Sequence, residues 1–209
     1  SLRDLIHGHP FRDSMAMIPM IQENPTYFET AGPDNTVPTL KLAVEHARKC
    51  GINKIVIAST SGMTAELMAK DIEHEGISIT IVTYAFGQKE PGTNPMPVEL
   101  REGLKEKGFN ICTAAHALSG VERSLSTTFG GIYPAEIIAN TLRMFGQGMK
   151  VCVEISAMAA DAGFVTSEER IIAIGGTAKG ADTAIVLRPE VSSKILKTRI
   201  DKVICKPIG

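Results

Sequence analysis

The sequence carries no excess charge of either sign: 22 basic residues stand against 23 acidic ones, for a formal net charge of −1. That balance gives no electrostatic reason to expect DNA or RNA as a partner, since nucleic acids attract strongly basic surfaces. No apolar run approaches the ~20 residues that span a bilayer, so no membrane segment is expected. Arg3, Asp4, His7 and His9 break up the start, and a secretory leader is not expected there. Cysteine is sparse. Cys50, Cys112, Cys152 and Cys205 are far apart and form no C-x-x-C pair, which argues against a zinc ribbon or a dithiol redox motif. Their neighbours are largely apolar, so they read as reduced thiols packed as small hydrophobes, as in a cytoplasmic protein.

What is there reads as one folded α/β domain. The 209 residues, 44% hydrophobic and 22% charged, can bury a sizeable core without staples. Residues 1–26 are weakly patterned and read as an arm leading into a domain over 27–209. Thr26 to Thr30 reads as a short strand. Leu40, Val44 and Ala47 share one helical face, and Gly51 is placed to end that helix in a left-handed conformation. Lys54 to Ala58 is a β-branched run with little polar alternation, as in a strand buried on both faces. A helix from Met63 and a strand over Ile77 to Thr83 follow. This alternation of helix and strand predicts a layered fold with a mainly parallel sheet.

Later elements are less regular. Gly87 to Pro97 holds three prolines and two glycines and reads as a loop. A charged helix over Val98 to Lys107 and a short strand over Phe109 to Thr113 come next. Ser119 to Leu125 has helical character, and Pro134 opens another helix. Met149 to Phe164 has both strand and helix periodicity, but its length and Ala-rich second half favour helix. Strands are expected over Arg170 to Ile174, Ala184 to Leu187 and Ile200 to Cys205.

Two loops carry the chemistry. Ser59-Thr60-Ser61-Gly62-Met63-Thr64-Ala65 joins a buried strand to a helix. A helix start offers unpartnered amides and the positive end of the helix dipole. Ser59, Thr60, Ser61 and Thr64 add hydroxyls, and Gly62 would let the backbone approach a ligand. The loop therefore reads as a phosphate site or as plain N-capping. No lysine follows the glycine, so it is not a Walker A loop. The second loop, Gly175-Gly176-Thr177-Ala178-Lys179-Gly180-Ala181-Asp182-Thr183, reads as an anion-binding nest with Lys179 as counter-charge, or as a long mobile hairpin. If the strands before the two loops are parallel, both loops open at one sheet edge, where doubly wound folds bind ligands. Tyr84 and Phe86 follow a strand at that edge and could flank a planar ring. His116 reads as a ligand contact or acid–base group, or as a packed histidine. Glu154 and Asp161 share a helical face, as a solvated stripe or as site residues.

Lys54 to Ala65 resembles the strand, phosphate loop and helix of the carboxy-terminal domain of pyruvate kinase. The stretch Lys150 to Thr183 resembles that domain's last helix, strand and effector loop. With Tyr27-Phe28-Glu29, Asn35-Thr36, His116 to Gly120 and Gly175 to Ala184, the chain resembles the stand-alone pyruvate kinase α/β-domain proteins of archaea and some bacteria. The resemblance implies a three-layer α/β/α sandwich and a homo-oligomer. It implies that Ser59, Thr60, Ser61, Gly62, Met63 and Thr64 hold a phosphate, and that Gly175, Gly176, Thr177, Lys179 and Gly180 close over the ligand. Flavin mononucleotide is the leading expectation for that ligand, with Tyr84, Phe86 and His116 near its ring. A chain of this length does not also hold a catalytic barrel of typically ~250 residues, so pyruvate kinase activity is not expected. A flavin-dependent or phosphosugar-converting enzyme using His116, Glu154 or Lys179, and a regulatory subunit sensing a sugar phosphate, stay open.

Overall fold

The computed structural model describes residues 19–208, so most of the expected arm lies outside the described residues. In chain order the elements are β1 (Thr26–Phe28), α1 (Thr36–Cys50), β2 (Lys54–Ala58), α2 (Met63–Asp71), β3 (Ser78–Thr83), α3 (Val98–Glu106), β4 (Asn110–Thr113), α4 (Gly120–Phe129), α5 (Pro134–Arg143), α6 (Gln147–Asp161), β5 (Ile171–Gly175), β6 (Thr183–Arg188) and β7 (Arg199–Pro207). The seven strands form one sheet in the order β1-β7-β6-β5-β2-β3-β4. Among the described residues only β6 runs against its neighbours, and the other pairings are parallel. The expected α/β class with a mainly parallel sheet is what the chain adopts.

The absence of polar alternation in the central strands has a direct cause. Ile55 and Ile57 of β2, with Ile172 and Ile174 of β5, face a core built with α1, α2 and α3. Val56, Ile171 and Ala173 point the other way, into a second core under α6. Both sheet faces are covered, so both residues of each alternating pair must be apolar. This makes the third layer: α1–α3, sheet, α6, with α5 on α6.

Helix α6 approaches the sheet closely because its contacts are small. A methyl added at Gly175 would lie 2.8 Å from the Gly148 carbonyl oxygen and 3.0 Å from Val151. The ambiguous Met149 to Phe164 segment is helix because a 15-residue element must cover β5, β2 and β6 at once. Gly51 ends α1 at φ 67°, with its amide on the helix's last carbonyls, as its position predicts.

Two expectations need correction. Cys112, Cys152 and Cys205 are buried, but Cys50 is exposed at the end of α1, its Sγ 3.4 Å from His46 Nε2. Glu154 and Asp161 do not share an environment: Glu154 is 2% exposed, whereas Asp161 projects past the packed part of α6 and accepts the Ser192 amide. Among the described residues no helix is long and apolar enough to cross a membrane.

Candidate functional site

Strands β2 and β5 are adjacent and parallel, with Ile57 opposite Ile174. The Ser59 loop and the Gly175 loop therefore leave the sheet side by side, at its carboxyl edge. Tyr84 follows β3 and His116 follows β4 at the same edge, because those strands continue the parallel register.

In the first loop the hydroxyls divide in two. Ser59 is 5% exposed; its amide donates to the Val82 carbonyl at 3.0 Å and its Oγ accepts the Ala65 amide at 3.2 Å. Thr64 is also buried. Thr60 and Ser61 face solvent. The Glu66 amide returns to the Gly62 carbonyl, while no acceptor among the described residues meets the amides of Met63 and Thr64. Those two N–H groups are the open donors that a helix start supplies. Gly62 is required for a reason the sequence did not disclose. Its φ is 95°, and a methyl there would lie 2.2 Å from Leu100 Cδ2 of α3. The left-handed backbone and the packing of Leu100 together account for the glycine without a ligand.

The second loop is a hairpin connection, since β5 and β6 are antiparallel, yet it is tied down. The Asp182 amide donates to the Gly175 carbonyl, and the Ala181 amide donates to Thr36 Oγ1 at 3.0 Å. Asp182 itself is fully buried; it accepts the Gly32 amide at 3.1 Å and the Thr183 hydroxyl at 2.8 Å. Gly180, at φ 71°, lies against the Pro33–Thr36 turn, where a methyl would come within 2.3 Å of Thr36 Oγ1. Thr177 and Gly176 are half-buried, and Lys179 reaches solvent. The reading of a free, mobile hairpin does not match these ties. Gly32, Thr36 and Asp182 act as struts, which only long-range contacts reveal.

Tyr84 and Phe86 part company. Tyr84 is half-buried against His116, with ring centroids 4.5 Å apart and planes at 55°. Phe86 is 52% exposed and lies under the Arg101 guanidinium, 5.0 Å away, on the α3 side. Behind His116 sits a polar pair that sequence reading half missed. Lys150 donates to Glu154 Oε2 at 2.5 Å, with the two side chains 8% and 3% exposed. The other oxygen, Oε1, accepts the Leu118 amide at 3.0 Å and so fixes the loop that carries His116. His116 Nδ1 stands 4.0 Å from Oε2, beyond hydrogen-bond reach. Burial holds the imidazole below its ordinary pKa, opposed by Glu154 and aided by Lys150 and Arg123. The signal for Lys150 was available: a Lys and a Glu four apart in a helix that, from Gly148 to Ala160, is otherwise apolar except for Ser156.

Thiol chemistry finds no support at the buried cysteines. Burial pushes Cys152 well above the ordinary thiol range and Cys205 up to about 11, whereas reactive cysteines need the opposite shift. Two surface clefts, of about 290 and 350 Å³, lie along the outer side of α1, lined by residues such as Arg48 and Ile72 or His46 and Val203. Neither includes any carboxyl-edge residue named above. We place the candidate site at the carboxyl edge, because the open α2 amides and the loops of four parallel strands meet there, whereas the first cleft is lined by surface charges such as Lys41, Glu45 and Arg48.

The fold and this edge define a three-layer α/β domain whose strand-to-helix loops meet at one rim. The chain belongs to the family described as pyruvate kinase, alpha/beta domain, whose model matches residues 38–187. Among solved structures, a pyruvate kinase of Cryptosporidium parvum is similar over 73% of this chain and 22% of its own, at 18% identity and a TM-score of 0.35. The Cryptosporidium parvum pyruvate kinase in complex with ADP is similar over 71% of this chain and 22% of its own, at 19% identity and a TM-score of 0.34. The chain thus spans about a fifth of the length of the pyruvate kinases it matches.

Proposed function

We propose that the carboxyl edge binds a phosphorylated small molecule, with flavin mononucleotide the leading candidate, and that the domain does so without pyruvate kinase activity. The observation that carries this reading is the start of α2. Two open amides, of Met63 and Thr64, stand beside the exposed hydroxyls of Thr60 and Ser61. A phosphate there would meet four donors and the positive end of a nine-residue helix. Ser59 and Thr64 would act from behind, shaping the loop instead of touching the ligand. Gly176, Thr177, Lys179 and Gly180, in a loop anchored to the Pro33–Thr36 turn through Gly180 and the Ala181 amide, would border the same ligand, and Lys179 would supply a counter-charge.

Absorption and fluorescence spectra of the purified protein, with mass spectrometry of what denaturation releases, test the flavin. A yellow protein that releases flavin mononucleotide supports it; a colourless protein that also fails to bind added flavin mononucleotide removes it and leaves a sugar phosphate or nucleotide. Ser61→Asp tests the loop itself, because like charge at the helix start should abolish phosphate binding; unchanged affinity means that the loop is only a cap. A catalytic reading rests on His116, whose half-buried ring carries no hydrogen bond to protein among the described residues. Glu154, paired and buried, would serve there only as a support.

A further inference from the structure

We propose that Lys150 and His116 form a second binding pole at this edge, which receives a neutral carbonyl oxygen on a planar ring of the ligand. The inference deepens the phosphate-site reading and rests on it for the other end of the molecule.

The first ground is an incomplete hydrogen-bond set. An ammonium carries three N–H donors. Lys150, 8% exposed, makes one bond, to Glu154 Oε2. No acceptor among the described residues meets the other two. His116 likewise has no hydrogen bond at either ring nitrogen among the described residues, although its ring is half-buried. Neither His116 nitrogen is among the buried polar atoms without a partner, which among the described residues are Thr39 Oγ1 and Arg101 Nε; the ring opens to solvent, and with the unmatched Lys150 donors it presents N–H groups to whatever enters the edge. The ion pair itself is not a good device for stability, since apolar replacements of buried pairs are often neutral or better.

The second ground is charge. Lys150 and Glu154 offset one another, and burial favours the neutral form of His116, so the pole carries little net charge. An anionic ligand group would meet the Glu154 carboxylate beside the ammonium. A neutral carbonyl oxygen would take the free N–H groups without that repulsion. The third ground is the wall. Tyr84 and His116 set two rings against each other at the end of β3 and β4, where a flat ring finds aromatic contact. Position closes the argument. Ser59 is bonded to Val82, the last but one residue of β3, and Tyr84 is two residues further on. The phosphate loop and the second pole therefore flank one strand end, with α2 on one face and α6 on the other.

The test compares two probes that share a phosphate: flavin mononucleotide, which bears a carbonyl ring, and ribose 5-phosphate, which does not. Wild-type protein should bind the flavin more tightly. His116→Asn and Lys150→Met should lower flavin affinity at least tenfold and leave ribose 5-phosphate unchanged, while Ser61→Asp should remove both. Because Lys150→Met strands a buried carboxylate, the double variant Lys150→Met/Glu154→Gln carries the test if the single one fails to fold. Equal flavin affinity in wild type, His116→Asn and the double variant would overturn the second pole and leave the phosphate site standing. Should Ser61→Asp bind both probes normally, the loop reading fails instead. The phosphate-free ring lumiflavin then decides: a saturable shift of the His116 Hε1 proton in wild type, lost in the double variant, supports the pole, and no shift overturns it.

Discussion

Helices α4 and α6 lie within 45 residues of one another and could hardly be used more differently. Of the fifteen residues of α6, twelve are buried, among them a lysine, a glutamate and a serine. Of the ten residues of α4, none is buried, although Val121, Leu125 and Phe129 are apolar. Burial follows the partner and not the side chain. The sheet supplies α6 with a flat apolar floor, and small residues such as Gly148 and Ala159 let it settle there. Its polar residues then had to find internal partners: Lys150 in Glu154, Ser156 in the Cys152 carbonyl. Helix α4 is tied at its first turn, where both oxygens of Glu122 accept the Ala135 amide.

If that contrast is right, the largest effect belongs to Glu154→Ala. It would leave the Lys150 ammonium buried without a counter-charge and the Leu118 amide without its acceptor. Breaking a buried pair from one side costs roughly 3–5 kcal/mol, read as a lower urea midpoint at unchanged slope. The double variant Lys150→Met/Glu154→Met sharpens the point. It should recover most of that loss, because the desolvation cost leaves with the charges. A double variant as unstable as the single one would mean that the pair itself, and not the unmatched charge, holds α6.

Next in size is the close approach of α6 to the sheet. Gly175→Ala sets a methyl against the Gly148 backbone oxygen, which cannot swing aside as a side chain end would. Overpacking of this kind costs typically 1–3 kcal/mol. No comparable cost is expected at Gly103 of α3, where an added methyl meets nothing within 4 Å. Equal loss at both glycines would place the cost in helix or strand propensity instead of contact.

A smaller effect depends on pH. Burial lowers the pKa of His116 in the folded protein, so the unfolded chain binds the proton more readily. Stability from this group is therefore fully present above the ordinary histidine value of about 6.5 and declines as pH falls through the depressed folded value. His116→Asn should flatten that part of the pH–stability curve. The His116 ring resonances should titrate with a midpoint below those of an exposed histidine; a midpoint above them would mean that Glu154 outweighs burial.

The legible part of this molecule was whatever local pattern controls. β-branched runs marked β2 and β3, Gly51 and Pro134 marked helix ends, and the Ser59 and Gly175 loops stood out by composition. The parallel neighbours β2 and β5 bring both loops to one edge, as expected. What the sequence hid depends on distant contacts. Gly62 answers to Leu100, Gly180 to Thr36, and Asp182 to Gly32 across 150 positions. Lys150 taken alone reads as an ordinary solvated charge; its spacing from Glu154 in an apolar run hints otherwise, and the depth of α6 shows that it is buried.

The smallest expected effect is the other half of the contrast. Val121, Leu125 and Phe129 recur every four residues along α4 and are 78%, 37% and 75% exposed. Substituting Val121→Ser and Phe129→Ser removes apolar surface that the folded chain leaves in water. Such changes usually fall within about 0.5 kcal/mol of neutral. Val153→Ser and Ile155→Ser in α6 would cut into a buried core and cost several times more. Urea unfolding of the four single variants at two protein concentrations separates the cases. If the α4 variants lose about 2 kcal/mol or more, and the loss grows with concentration, then something binds that face in the folded state. Helix α4 would then share the rule of α6, with its apolar face covered by another chain in place of the sheet.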